Sequence, residues 1–163
     1  MLIVKLLLTG WAAAVAAADL RHRRIPNWLQ GVALLLVAGC YWAAGTGPVE
    51  NGMVSGVVAA IIGFAALLPG YWLRVLGAAD VKLAVVVGFT LGTPLTVEWL
   101  LFSAATLGLV SLAWIVGRRA RRNGPAAGSV STLHQRVPAG AVMMPVFALM
   151  LWTGSWIEVA HGT

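Results

Sequence analysis

Only two aspartates occur in the chain, Asp80 within an apolar stretch and Asp19 at the end of one. An ionisable side chain inside a membrane span costs about 2.5 to 3.5 kcal/mol on the insertion scale, so each invites a functional reading. Two carboxyl groups sharing one low-dielectric site cannot easily both ionise. One keeps its proton while the other, charged, can draw a proton from an attacking water, which is general acid–base catalysis of hydrolysis. The pair titrates as a unit, so the two roles are not assigned to individual residues. Two further readings fit a pair of aspartates among apolar helices. One is an ion- or proton-coupled carrier, and the other is a non-catalytic secretion-system subunit whose aspartates pair with Arg or Lys.

The residues around the aspartates narrow the chemistry. Asp19 opens the string Asp19-Leu20-Arg21-His22-Arg23-Arg24-Ile25-Pro26-Asn27, and Asp80 lies in Leu76-Gly77-Ala78-Ala79-Asp80-Val81-Lys82-Leu83. Lys82, two positions past Asp80, does not share its helix face. It is expected to snorkel to the interface, with tuning of the pair or contact with substrate as the alternative. Arg21 and Arg23 read as topological anchors and His22 as a solvated loop residue. One histidine beside two aspartates makes a poor metal site. The single cysteine, Cys40, sits in an apolar run and can form neither an intrachain disulfide nor a thiolate zinc site. It is expected only to pack, and neither metal nor cofactor is expected.

The elements that must carry these residues follow from composition. Of 163 residues, 60% are hydrophobic and 10% charged, against about 25% charged in soluble domains, and the mean hydropathy is +0.89. That excludes an ordinary soluble fold and predicts an all-α membrane helix bundle, a single domain over 1–163. A crossing helix needs about 20 mostly apolar residues, and six such stretches occur, at 1–18, 28–45, 53–73, 75–91, 95–117 and 138–157. Pro26-Asn27, Gly45-Thr46-Gly47-Pro48 and Gly92-Thr93-Pro94 punctuate them, together with a basic segment at 118–137.

The net charge of +6 is explained by topology rather than by nucleic acid. Arg21, Arg23, Arg24, Arg74 and the arginines of 118–137 fall on alternate connections, with Lys82 just beyond Arg74 and only Lys5 outside this set, whereas Glu50, Glu98 and Glu158 lie at the opposite span ends. Since Arg and Lys are retained on the cytoplasmic side, both termini are expected outside and both aspartates toward the cytoplasmic face. Lys5, an apolar run and Ala16-Ala17-Ala18 also resemble a cleavable signal. Cleavage would export Arg21–Arg24 against the charge rule, so this stretch is read as the first span. Gly52-x-x-x-Gly56 and Gly88-x-x-x-Gly92 have the spacing of close helix approach, which a chain this rich in Gly and Ala also yields by composition.

Taken together, the two strings resemble the type IV prepilin peptidase family, whose members carry one catalytic aspartate in D-x6-P, followed by a polar residue, and a second in G-x-G-D-x-K. Asp19, Pro26 and Asn27 match the first pattern; Gly77, Asp80 and Lys82 match the second; and a late Val137-Pro138-Ala139-Gly140 segment is also similar to this family. Ala79 replaces the second glycine, and Ala139 stands where relatives commonly show an aromatic. A positive φ at Ala79 would be disfavoured, so either the turn does not need one or this member is weakened. The long members' cysteine-rich methylation region has no counterpart in the sequence, which points to the short, tight-adherence (Flp) branch. The resemblance implies an aspartic endopeptidase of the bacterial inner membrane with Asp19 and Asp80 catalytic and Gly77, Lys82, Pro26, Asn27, Pro138 and Gly140 supporting. Its implied substrate is a prepilin or pseudopilin, cut between a basic leader and an apolar helix, and its implied surroundings are the lipid bilayer.

Overall fold

In a bilayer every backbone N–H and C=O must be satisfied internally, so apolar stretches of this length form helices. The computed structural model, which describes residues 2–22, 25–73, 76–122 and 139–153, contains six: α1 (Leu2–His22), α2 (Asn27–Ala44), α3 (Met53–Trp72), α4 (Ala78–Leu91), α5 (Thr93–Arg122) and α6 (Ala139–Thr153). Four of them, α1, α2, α3 and the first 18 residues of α5, are long and apolar enough to cross a membrane. The chain is a polytopic helical membrane protein, as its composition requires.

Hydropathy misplaces three boundaries. The fourth stretch, expected from 75, becomes helix only at Ala78, because Gly77 is extended (φ −84°, ψ 155°) and caps the helix. α4 therefore has 14 residues, and the first stretch, expected to end at 18, continues as helix through His22. The fifth stretch does not stop at Gly117 but continues as helix through Arg122, so the first part of the expected basic loop is helical. Residues 123–138, the rest of that loop and Pro138 with it, lie outside the described residues.

Side-chain contacts set the directions. Trp152 Nε1 donates to Thr9 Oγ1 at 3.0 Å near one end of the α1–α6 pair, and Ala141 N–H meets Asp19 at the other, so these helices are antiparallel. α3 and α4 are antiparallel too, with Gly63 against Ala84 and Gly88 against Ala59. α2 runs parallel to α4, since Gln30 reaches Ala79 and Tyr41 reaches Phe89. One end of the bundle thus gathers the C-terminal ends of α1 and α3 and the N-terminal ends of α2, α4 and α6.

Lipid tails are as apolar as leucine, so tight packing and interhelical hydrogen bonds must hold such a bundle. α4 is central, with Val81, Leu83, Ala84, Val86, Val87 and Leu91 all buried. Leu8, Trp11 and Val15 of α1 are buried as well, and α1 runs unbroken through Ala16–Ala18. Trp11 meets Phe147 edge to face at 5.8 Å and donates to the Leu29 carbonyl at 2.8 Å. Trp99, fully buried, donates to the Met143 carbonyl at 3.2 Å. Gly52 faces open space, so the first glycine spacing is not used as a pair, but single glycines are: a Cβ on Gly88 would lie 2.5 Å from the Ala59 carbonyl oxygen, and one on Gly63, outside either spacing, would lie 2.7 Å from that of Ala84. Only glycine lets the α3 and α4 backbones approach this closely.

Candidate active site

Asp19 occupies the last turn of α1 and is 8% exposed. Its Oδ2 accepts the N–H of Ala141 at 3.0 Å, in the first turn of α6, where main-chain donors have no partner within the helix. The same arrangement explains the glycine beside Ala141. A Cβ on Gly140 would lie 3.0 Å from Asp19 Oδ2 and 3.3 Å from its Cγ, tighter than ordinary contact. Gly140 thus gives the carboxyl room to reach the helix end.

Asp80 is the third residue of α4, and its Oδ2 accepts the N–H of Gly77 at 3.0 Å while its own N–H returns to the Gly77 carbonyl at 3.1 Å. This reciprocal closure fixes the first turn. Ala79 lies inside that right-handed turn, and among the described residues Glu50 is the only non-glycine with positive φ. The turn therefore has no need of the glycine that the family pattern carries at this position.

The two sequence strings are joined by Lys82, whose Nζ donates to Asn27 Oδ1 at 3.0 Å. The lysine is exposed and has a defined partner. Pro26 caps α2 with extended backbone, and its carbonyl accepts the N–H of Leu29 at 3.1 Å. Pairwise, then, Asp19 is brought to Gly140, Asp80 to Gly77 and Asn27 to Lys82. Both carboxyls lie at the same end of the bundle.

One residue of this end was passed over in the sequence. Gln30, a turn beyond Asn27, is buried and donates from Nε2 to the Ala79 carbonyl at 3.0 Å, directly before Asp80. The available signal was a carboxamide in an otherwise apolar span, which in lipid implies a partner on another helix.

Helices of this length and apolarity define a polytopic membrane protein, here with two carboxyls held by main-chain N–H groups at one end of the bundle. The chain belongs to the type IV leader peptidase family, whose model matches residues 6–112. That match includes Asp19, Pro26, Asn27, Gly77, Asp80 and Lys82 and ends within α5, before Gly140. No curated protein and no solved structure gives a significant match. Membership supports a leader-peptidase function in general.

Proposed function

We propose that the chain is an aspartic endopeptidase that removes the basic leader from type IV, Flp-like prepilins or pseudopilins at the cytoplasmic face of the inner membrane, with Asp19 and Asp80 as its catalytic pair. The observation that carries this reading is the family match spanning both aspartates, the only two in the chain. Their common end of the bundle is consistent with it.

In this reading one carboxylate takes a proton from water as the oxygen attacks the scissile carbonyl, and the other carboxyl polarises that carbonyl and then protonates the departing amine. The Ala141 N–H orients Asp19 through Oδ2. The Gly77 N–H does the same orienting work for Asp80. The enzyme's basic residues, Arg118–Arg122 among them, share the sign of a basic leader, so recognition rests on the substrate's apolar helix.

The test co-expresses a candidate prepilin with the wild type, Asp19→Asn and Asp80→Asn and follows leader removal on a gel. Each substitution is expected to lower processing by at least about a hundredfold, the typical worth of a positioned acid or base. Processing retained by both variants defeats the proposal.

A further inference from the structure

Gln30 is 5% exposed, and its two side-chain polar atoms have different fates. Nε2 is bound to the Ala79 carbonyl, which sets the amide orientation, because a flipped amide would point oxygen at oxygen. Oε1 is buried and has no hydrogen-bond partner among the described residues. Leaving a buried acceptor unpaired costs about 1 to 3 kcal/mol, so such an atom calls for an explanation.

The surroundings suggest one. Gln30 lines a cavity of about 310 Å³ between α2 and α4, together with Asn27, Lys82 and Val81. Val81 and Lys82 directly follow Asp80, so the cavity begins beside the turn that carries the carboxyl. Through Leu34, Phe64 and Val85 it shares walls with a second cavity of about 470 Å³, wholly apolar, further along α2 and α4 from the site end. A peptide at membrane depth must find acceptors for its main-chain N–H groups. The first turn of an apolar helix has several such donors unsatisfied.

We propose that Gln30 is a substrate-binding residue: its Oε1 accepts a main-chain N–H at the start of the substrate's apolar segment. This rests on the leader-peptidase reading with Asp80 catalytic. The bond from Nε2 to Ala79 ties the acceptor to the turn bearing Asp80, so the substrate's register is set relative to that carboxyl. The apolar segment then leaves along the second cavity.

The experiment uses the full chain in detergent and a synthetic peptide with a basic leader, a glycine and an apolar helix. Gln30→Met removes both polar atoms at nearly constant length, whereas Gln30→Glu, kept protonated by burial, donates its O–H to the Ala79 carbonyl and retains the acceptor. Gln30→Met is expected to raise KM about three- to tenfold, the worth of one hydrogen bond, while Gln30→Glu keeps KM within twofold of wild type. Gln30→Leu replaces the methionine variant if that protein is not monodisperse. A role confined to holding Ala79, or to binding a water, predicts no change in KM for folded variants of either kind, and that result overturns the inference. If the wild type cuts the peptide and Asp80→Asn does not, such a failure belongs to Gln30 alone. A wild type that leaves the peptide intact defeats both readings.

Discussion

Gly140→Ala probes the contact on which the placement of Asp19 depends. The added Cβ would lie 3.0 Å from Asp19 Oδ2, whereas ordinary contact begins at 3.4 Å, so the carboxyl must retreat by about 0.4 Å. Relief by the neighbouring side chain is limited, because Ile25 Cδ1 would itself lie 3.3 Å from the new methyl. A retreat of that size stretches the 3.0 Å bond from Ala141 beyond the usual range for N–H···O. Misplacement by 1 Å can cost about a hundredfold in rate, so 0.4 Å should cost about tenfold in kcat. Overpacking at the α1–α6 contact should cost about 1 to 2 kcal/mol of stability. Initial rates of leader removal in detergent, run beside thermal unfolding, separate the two effects. Wild-type kcat in Gly140→Ala would refute the reasoning outright. A lower unfolding temperature with kcat intact would reduce Gly140 to a packing residue with no bearing on the carboxyl.

Two further substitutions test other parts of the account. Gly88→Ala drives a Cβ to 2.5 Å from the Ala59 carbonyl oxygen, a backbone atom with no rotamer to change. It should lower stability by about 1 to 3 kcal/mol, and an unchanged unfolding midpoint would remove the small-residue explanation of the α3–α4 contact. Ala79→Gly restores the family's residue at a position whose backbone is already helical. It should leave kcat/KM within about twofold and cost up to about 1 kcal/mol of stability, whereas a large gain in activity would mean that the alanine does weaken the site.

Much of the fold was legible because hydropathy and punctuation report directly on burial in lipid. α2 and α3 lie within a residue or so of the expected spans. Hydropathy marks where apolar character ends rather than where a helix ends, so it missed the continuation of α5 through Arg118–Arg122, residues well suited to a helix. It also missed the late start of α4, which a capping signal announces: a flexible Gly77 three residues before an acidic side chain. At the site, Asp19 and Asp80 stood out because charge in an apolar setting is conspicuous. Gln30 did not, since an uncharged amide barely disturbs a composition profile. Glu98 was expected near a span end, and the fold buries it at 6% exposure within α5. The contact of Gly140 with Asp19 joins residues 121 positions apart, and only the antiparallel pairing of α1 with α6 makes it visible.

The brevity of α4 bears on how the reaction obtains its second reactant. At 1.5 Å per residue α4 is about 21 Å long and its antiparallel partner α3 about 30 Å, close to the hydrocarbon thickness. Gly63 packs against Ala84 and Gly88 against Ala59, so Leu91 lies level with Gly56 and Ala78 with Pro69. The N-terminal turn of α4 is therefore recessed by three residues, about 4.5 Å, from the end of α3. In a bilayer such a step draws headgroups and solvent inward, and hydrolysis at Asp80 would be fed by that dent. Turnover should then vary with the acyl-chain length of the host lipid even though no residue has changed.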